Sequence, residues 1–360
     1  MQSPLRELLR NPLYWLLIFV PIVLVAEAAR PEAHVALFVL SVLAIVPLAG
    51  LLSRSTESVA AKTGDAVGGL LNATLGNLTE LVIAITALRA GMNDLVKASI
   101  AGAVVTNSLF LLGGSFLLGG LRHRVQEFNA RNARVQSAML LLATVALVIP
   151  SAVSRIDRLN VSSFTQPLSL SLAVILLVTY ALSLVFSLKT HKDLFASAEG
   201  GEHDTPWPLP FALGGLALAT LGIAFVSEIF VGAVQEASLA FGMSRAFVGF
   251  IVVSLVGGAA EMSAAFSGAL KNRLDLSVGI AMGSSSQIAL FVAPVLVILS
   301  RFIAPAPMDL NFGGGQVLMV LLTTLTVSGV VSGGQSAWYS GVQLLAVYTV
   351  FAVTLYLIPG

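Results

Sequence analysis

The sequence predicts an all-α polytopic membrane protein with about eleven transmembrane helices, arranged as two inverted five-helix repeats after one extra N-terminal helix. Three observations predict this fold: the composition, the spacing of the apolar runs, and a motif that occurs twice. Of the 360 residues, 57% are hydrophobic and only 10% are charged. Soluble domains carry roughly 25% charged residues, so this composition indicates a chain that lies mostly within a bilayer.

Apolar runs separated by polar breaks give the number of crossings, because one transmembrane helix needs about 20 apolar residues. The runs of sufficient length lie near 14–29, 35–53, 63–89, 95–120, 135–154, 167–188, 209–234, 244–270, 275–301, 315–333 and 338–358. The first run resembles a signal peptide, but a retained helix agrees better with the charges. With the N-terminus in the cytoplasm, twelve Lys and Arg residues lie inside and seven outside, as the positive-inside rule expects. The C-terminus is then on the opposite side.

The remaining composition excludes several classes of function. The chain contains no cysteine, so a disulfide framework, a thiolate metal site and a cysteine nucleophile are excluded. A net charge of +1 without any basic run argues against a nucleic-acid partner. The four histidines fall in or beside polar connections, and a histidine-ligated metal centre in the membrane is not predicted.

Two glutamates lie inside predicted spans. Glu80 lies in LLNATLGNLTELVIAITAL and Glu261 in IVVSLVGGAAEMSAAFSGAL. A charged side chain at membrane depth costs about 2.5–3.5 kcal/mol on insertion scales, and such residues are functional by default. The alternative is a permanently protonated acid that packs two helices, but matched small-residue frames before both glutamates argue against it.

The repeat continues beyond the glutamates. Asp94 and Asp275 each stand fourteen residues after their glutamate, and Gly102 and Gly283 each stand twenty-two residues after it. A polar patch then follows in each half, TNS in the first and SSSQ in the second. These features divide the chain into an N-terminal region with the first helix (1–33), a first five-helix repeat (34–190), an acidic cytoplasmic linker (191–207) and a second five-helix repeat (208–360).

The odd number of crossings in each repeat indicates the class of function. Five crossings are an odd number, so the second repeat enters the membrane from the opposite face. Inverted repeats are typical of secondary transporters, whose substrate site lies at the midplane between the repeats. The sequence therefore predicts a transporter with a site built around the two glutamates.

The chemistry near the glutamates favours a hard cation. Glycine and asparagine are poor helix formers, so each helix is expected to break before its glutamate and to free backbone carbonyls that line a cavity. Hard cations such as Ca²⁺ take about six to eight oxygen ligands, whereas soft metals ask for sulfur or imidazole. We predict Glu80 and Glu261 as the metal ligands. The full set of predicted cation- and proton-binding residues is Glu80, Glu261, Asn77, Asn107, Gln287, Gly76, Gly257, Ser284 and Ser285.

Some of these residues have a simpler alternative role. Interhelical hydrogen bonding alone would explain Asn107, Gln287 and the serines 284–286. Glu57 and Glu236 stand upstream of the two motifs at comparable positions and are predicted to line the approach to the site. The alternative for both is a carboxylate at a helix end near water.

The two glutamate motifs, the segment GGAAEMSAAFSGALKNRLDLSVGIAMGSSSQIALFVAP and the acidic linker resemble the calcium/proton exchanger family of the cation/calcium exchanger superfamily. The resemblance covers nearly the whole chain. It implies eleven helices and exchange of Ca²⁺ for H⁺ by alternating access, with Glu80 and Glu261 binding the cation or protons in turn. Asn77, Asn107 and Gln287 would line the site. Ca²⁺ and H⁺ are then substrates, no cofactor is expected, and the partner is the lipid bilayer; a homo-oligomer is not readable from the sequence.

Two residues depart from the family's second motif, which commonly reads Gly-Asn-Ala-Ala-Glu-His. This chain has Gly258 for the asparagine and Met262 for the histidine. The first change removes an amide oxygen, which lowers the coordination number or shifts selectivity. The second removes a group that titrates near neutrality.

Other functions remain as alternatives. A sodium/calcium exchanger or a monovalent cation/proton antiporter of the same superfamily would share the architecture, although two carboxylates favour a divalent cation. An intramembrane aspartyl protease would need paired aspartates within helices, and no aspartate lies in a predicted span interior, so the chain is not predicted to be an enzyme. A purely structural membrane protein would leave the duplicated glutamates unexplained. Short loops indicate a prokaryotic plasma (inner) membrane.

Overall fold

The computed structural model describes residues 4–154, 161–191 and 206–358. Most of the predicted acidic linker, residues 192–205, lies outside the described residues. The chain begins with short helices at its N-terminus: α1 (Pro4–Arg10), α2 (Pro12–Trp15), a 3₁₀ turn (Leu16–Ile18) and α3 (Phe19–Ala29). The apolar run predicted one helix over 14–29, and the segment from α2 to α3 fulfils that role. The amphipathic helix α1 was not predicted.

The first half continues with helices interrupted by two π-helical turns. Its elements are α4 (His34–Thr63), α5 (Asp65–Leu75), α6 (Leu78–Arg89), α7 (Asn93–Val105), a π turn (Thr106–Leu111), α8 (Leu112–His123), β1 (Val125–Glu127), α9 (Ala130–Val153), α10 (Val161–Val185) and a second π turn (Phe186–Thr190).

The second half has a similar succession. Its elements are α11 (Leu209–Ala240), α12 (Arg245–Phe247), a π turn (Val248–Val253), α13 (Ser254–Gly257), α14 (Ala259–Leu270), α15 (Leu274–Gln287), a π turn (Ile288–Val292), α16 (Ala293–Ile303), α17 (Gly314–Val331), β2 (Gln335–Ala337) and α18 (Trp338–Leu357).

The number of membrane crossings agrees with the sequence. Within the described residues, nine helices are long and apolar enough to cross a bilayer, and two bent helix pairs raise the number to eleven if each pair is one span. The bent pairs are 67–89 and 245–270, with bends of 41° and 59°. The predicted all-α polytopic fold is thus confirmed, and the chain is an integral membrane protein.

Both bends lie immediately before a membrane glutamate, as the small-residue frames predicted. Asn77, with φ −102° and ψ 27°, separates α5 from α6. Gly258, with φ −80° and ψ 6°, separates α13 from α14. These conformations depart from the regular α-helix, so each helix is interrupted about one turn before its carboxylate.

The two longest helices, α4 and α11, pack antiparallel along their length. A Cβ atom at Gly222 would lie 3.0 Å from Leu48 Cδ2, and one at Gly215 would lie 2.6 Å from Ser55 Oγ. Farther along, the rings of Phe38 and Phe230 stack with centroids 5.1 Å apart. Small residues therefore let the first helices of the two halves approach closely, as is usual in membrane helix pairs.

Strands β1 and β2 form a small antiparallel ribbon, the one β-sheet within the described residues. The sequence did not predict it. Gln126 faces inward from β1, where its Nε2 donates to the carbonyl of Ala269 at 3.0 Å and to Asn272 Oδ1 at 2.8 Å. The ribbon therefore joins the ends of α8 and α18 to the turn after α14. Its strands are only three residues long, which is too short for a period-2 pattern to be recognised.

The N-terminal helix α1 is attached through Glu7 to the first half and to the last residue of the linker. Arg54 Nε donates to Glu7 Oε1 at 2.7 Å, and Trp207 Nε1 donates to Glu7 Oε2 at 2.8 Å. Burial raises the pKa of the Glu7 carboxyl, but the hydrogen bonds from Arg54 and Trp207 and the Arg54 charge outweigh burial, so the pKa lies below its ordinary value.

This contact predicts a small pH-dependent contribution to stability. A carboxyl whose pKa is lowered by folding stabilises the protein above its ordinary pKa, and this contribution is lost as the pH falls through the lowered value. We expect Glu7→Gln to lower the thermal unfolding temperature slightly at neutral pH, with the difference from wild type shrinking in acid below about pH 4. Unfolding scans across pH test this, with the exposed Glu32→Gln as the control. A difference that is constant with pH would contradict it.

Candidate functional site

The breaks in the two bent helices place polar side chains of both halves in contact. At the first break, Asn77 Nδ2 donates to Gln287 Oε1 at 2.6 Å. Asn77 Oδ1 accepts from Ser284 Oγ at 2.9 Å. Gln287 and Ser284 both lie on α15 of the second half, so a single amide of the first half spans the interface between the repeats.

The carboxylate of Glu261 is held by groups from both halves. Asn107 Nδ2 donates to Glu261 Oε2 at 3.2 Å, and Ser284 Oγ donates to Glu261 Oε1 at 3.0 Å. Asn107 Nδ2 also donates to Ser284 Oγ at 2.9 Å. Because the serine hydroxyl has one proton, its bonds to Glu261 and Asn77 are alternatives or share that proton. The network connects Asn77, Ser284, Asn107 and Glu261 without interruption.

Glu80, which follows the first break, packs against the second break, at Gly257. A Cβ atom at Gly257 would lie 3.0 Å from Glu80 Cγ and 3.2 Å from Glu80 Oε1. The Glu80 charge also acts electrostatically on Glu261. Glycine at 257 therefore makes room for the first-half carboxylate beside the second-half helix, and the two glutamates belong to one site.

The depth of these residues differs. Asn77, Asn107 and Ser284 are buried, whereas Glu80 and Glu261 are half-buried. The neutral groups thus form an internal support for two partly exposed glutamate residues. Such a cluster of carboxylate, amide and hydroxyl oxygens has the donor set that a hard cation prefers.

Metal chemistry at this site must depend on neutral oxygens as well as on the two carboxylates. No group of three or more His, Cys, Asp or Glu side chains that could hold a metal ion occurs in the described part of the chain. An ion bound between Glu80 and Glu261 would have to complete its coordination with amide, hydroxyl, backbone or water oxygens.

The π turns of α7 and α15 lie beside the site. Asn107 lies within the turn Thr106–Leu111, and Gln287 directly precedes the turn Ile288–Val292. A π turn widens the helix by one residue and is frequent at functional sites. These turns were not predicted, because nothing in the residue pattern of either segment distinguishes a π turn from an ordinary α-helix.

The predicted site residues are mostly brought together. Gly76 and Gly257 lie at the two breaks, and a Cβ atom at Gly76 would lie 3.9 Å from Gln287 Oε1. Ser285 differs from the other predicted site residues in its contacts. Its hydroxyl is 2.8 Å from Ser108 Oγ and donates to the carbonyl of Ala281, so it joins α15 to the π turn after α7 and has no hydrogen bond to a glutamate.

The predicted access carboxylates lie outside the cluster. Glu57 and Glu236 are exposed and lie near opposite ends of the α4–α11 pair, roughly 35 Å apart along the helices at 1.5 Å per residue. Ser53 Oγ lies 3.4 Å from Glu57 Oε1. One carboxylate thus stands toward each face of the membrane, and their role in access stays a prediction.

Two polar groups near the site were not predicted. Tyr180 OH donates to the carbonyl of Ala73, one turn before the first break, at 2.8 Å. Gln136 accepts through its backbone carbonyl from Ser286 Oγ at 3.3 Å. Neither residue lies in a repeated motif, and Gln136 makes its contact through the backbone, so no feature of the sequence singles them out.

Comparison with known proteins agrees with this architecture. Residues 33–189 and 211–357 match the family described as sodium/calcium exchanger protein. The Ca²⁺/H⁺ antiporter of Aphanothece halophytica is 37% identical over 366 aligned positions, covering 97% of this chain and 98% of the relative. The Ca²⁺/H⁺ antiporter of Synechocystis sp. is 40% identical and covers 89% and 91%. The structure of native YfkE matches with a TM-score of 0.83 and 35% identity, over 96% of this chain and all of that one.

These matches extend over both halves and include both membrane glutamates. The predicted family resemblance is confirmed. The chain belongs to the sodium/calcium exchanger protein family.

Proposed function

We propose that this protein is a secondary transporter that exchanges Ca²⁺ for H⁺ across a membrane. The observation that carries the proposal is the pair of carboxylates, Glu80 and Glu261, which the two broken helices bring into one polar cluster between the halves. Relatives that match almost the whole chain are named Ca²⁺/H⁺ antiporters, which supports this choice of ions.

The two carboxylates suit an exchange of one divalent cation for protons. Two ionised carboxylates balance the charge of Ca²⁺ at membrane depth, where an unbalanced charge is costly. When both carboxyls are protonated they are neutral, so the site needs no bound cation to balance it. The same atoms therefore hold either Ca²⁺ or protons, and binding of one displaces the other.

The neutral residues have a positioning role in this mechanism. Ser284 and Asn107 hold the Glu261 carboxylate from one side, through bonds of 3.0 and 3.2 Å. Asn77 and Gln287 hold each other across the first break. On release of a hydrogen bond, each of these groups presents an oxygen to a cation, so the network provides ligands without moving the helices far.

The two halves differ in a way that supports alternating access. In α7, a Cβ atom at Gly102 would lie 2.1 Å from the Phe250 carbonyl oxygen, so helix α7 and the π turn of the second half touch backbone to backbone. The counterpart in α15 is Gly283, where the nearest atom is Gln136 Oε1 at 3.4 Å. Helix α7 is thus in a direct backbone contact that its symmetry mate α15 lacks at Gly283. If this contact alternated between α7 and α15, the site would be exposed to each face of the membrane in turn.

The sidedness follows from the charges, and the choice of membrane follows from the short loops. We place the N-terminus in the cytoplasm and the C-terminus on the opposite side because of the positive-inside bias, and we place the protein in a prokaryotic plasma membrane because its loops are short. The family description also supports sodium/calcium exchange as a second candidate, and the same cluster of oxygens could serve it.

Proton flux in reconstituted vesicles tests the proposed function. We expect an imposed Ca²⁺ gradient to drive H⁺ movement in the opposite direction, reported by a pH-sensitive dye, and equal gradients of Na⁺ or K⁺ to drive none. Vesicles without protein are the control. Flux driven by Na⁺ or K⁺ but not by Ca²⁺ would contradict Ca²⁺/H⁺ exchange, and Ca²⁺ movement that requires Na⁺ would favour the second candidate.

A further inference from the structure

Gly258 occupies the position in the second half that Asn77 occupies in the first. The halves are related by 181 positions, the difference between Glu261 and Glu80, and Asn77 shifted by 181 is residue 258. Both residues precede the helix that carries the glutamate, with φ/ψ of −102°/27° for Asn77 and −80°/6° for Gly258. Any L-residue adopts such angles, so the backbone does not require glycine at 258.

The residue facing Gly258 across the interface is Asn107. A Cβ atom at 258 would lie 3.2 Å from Asn107 Oδ1. Asn107 is only 1% exposed, and its Nδ2 makes both of its hydrogen bonds, to Glu261 and Ser284. Its Oδ1 has no hydrogen-bond partner within the described part of the chain.

The orientation of the Asn107 amide follows from its neighbour. In the cation-binding state Glu261 is ionised, and an ionised carboxylate only accepts hydrogen bonds, so the NH₂ group faces Glu261 and the oxygen faces Gly258. A buried acceptor left without a donor costs about 1–3 kcal/mol. Asn77 is the first-half counterpart of Gly258, and its amide oxygen accepts a hydrogen bond from Ser284 Oγ. Gly258 brings no side chain to Asn107, so the pair Gly258–Asn107 is where the symmetry of the site is broken.

The other atoms around Gly258 supply no donor. A Cβ atom there would lie 3.4 Å from the Met262 methyl carbon and 3.2 Å from the Ser254 carbonyl oxygen. That carbonyl already accepts from the Gly258 amide at 3.1 Å. A side chain at 258 would thus fit closely against an apolar methyl, a used acceptor and the unpaired Asn107 oxygen, directly beside the group that holds Glu261.

We propose that Gly258 is a specificity-determining position: when the cation binds, a water molecule takes the place of a side chain at 258, donates a hydrogen bond to Asn107 Oδ1 and coordinates the transported divalent cation through its own oxygen. This rests on the proposed function. The cation would then keep one water of hydration at the point where a side-chain amide at 258 would supply a fixed oxygen. A water ligand adjusts its position to the ion, so the site would discriminate weakly between Ca²⁺ and the larger Sr²⁺.

Three substitutions at 258 separate a water site from simple packing. Gly258→Ala occupies the place of the proposed water without a polar atom, Gly258→Ser occupies it with a hydroxyl that donates to Asn107 Oδ1, and Gly258→Asn supplies an amide that reaches the cation. The matched control is Gly329→Ala on α17, where an added Cβ meets nothing within 4 Å. Binding of Ca²⁺ and Sr²⁺ to the purified full-length protein is measured by titration calorimetry at fixed pH.

We expect Gly258→Ala to weaken Ca²⁺ binding about tenfold, corresponding to roughly 1.4 kcal/mol, while Gly258→Ser and Gly258→Asn bind within about threefold of wild type. Gly258→Asn should also increase the preference for Ca²⁺ over Sr²⁺. Affinity that falls with side-chain size, with alanine near wild type and asparagine weakest, would overturn the proposal. If Gly258→Asn does not yield folded protein, the nearly isosteric pair of alanine and serine decides: equal affinities would overturn it.

The outcome for the proposed function is read separately from wild type. Wild-type protein that shows Ca²⁺-driven proton flux but an order of affinities set by size would reject the water site alone. Wild-type protein that binds neither Ca²⁺ nor Sr²⁺ would reject the proposed function together with the inference.

Discussion

Replacing either Glu80 or Glu261 by glutamine is expected to reduce Ca²⁺-driven proton flux to that of vesicles without protein. Glutamine keeps the size of the side chain and its hydrogen bonds, but it neither binds a proton nor supplies a charge for the cation. The fold should persist, because Asn107 and Ser284 still find a carbonyl oxygen at position 261 and removing one of two neighbouring charges relieves repulsion.

The measurement for these variants combines flux with a test of folding. Purified Glu80→Gln and Glu261→Gln should elute as wild type does in size-exclusion chromatography and unfold at the same or a higher temperature. Glu32→Gln, an exposed carboxylate in the turn before α4, is the matched control and should retain full flux. Near-wild-type flux in either site variant would show that the carboxylate in question is not a carrier.

Adding a single methyl group at Gly102 should have the second large effect. The new Cβ would lie 2.1 Å from the carbonyl oxygen and 2.4 Å from the Cα of Phe250, so α7 and the second-half π turn would have to separate. Forcing extra volume into close packing typically costs about 1–3 kcal/mol, and a backbone clash is at the upper end. We expect Gly102→Ala to lower the unfolding temperature and to abolish exchange.

The symmetry-related variant Gly283→Ala makes this prediction specific to alternating access. Its Cβ would meet only Gln136 Oε1 at 3.4 Å, so the described arrangement should accept it with little loss of stability. If Gly283 forms the close contact in the opposite arrangement, exchange should nevertheless fall sharply. Unfolding scans and flux assays on both variants, with Gly329→Ala as control, test this. Normal exchange by Gly283→Ala would contradict the idea that Gly283 forms the same close contact in the opposite arrangement.

Much of the fold was predictable because membrane insertion leaves a strong signal. Apolar runs of about 20 residues gave the spans, since lipid tolerates few polar side chains. The breaks before Glu80 and Glu261 were predictable because Gly76, Asn77, Gly257 and Gly258 lower helix propensity at those points. The central site followed from the same duplicated frames.

Other features depend on contacts between distant residues and were not predictable. The orientation of Ser285 toward Ser108 depends on the exact rotation of α15, which a uniform run of serines does not fix. The helix α1 is held by Arg54 and Trp207 from remote parts of the chain. The difference between Gly102 and Gly283 is a property of one conformation, whereas the sequence repeat treats the two halves alike.

The dependence of Ca²⁺ affinity on pH tests most directly whether the cation and protons share Glu80 and Glu261. If Ca²⁺ binding releases one proton from each carboxyl, the dissociation constant should rise as pH falls, by up to about 100-fold per pH unit where both carboxyls are protonated. Titration calorimetry in buffers of different ionisation enthalpy measures both the affinity and the number of protons released. The account predicts weaker binding in acid together with proton release, and with Glu80→Gln the remaining site should release at most one proton. An affinity independent of pH between about 5 and 8, with no proton released, would contradict it.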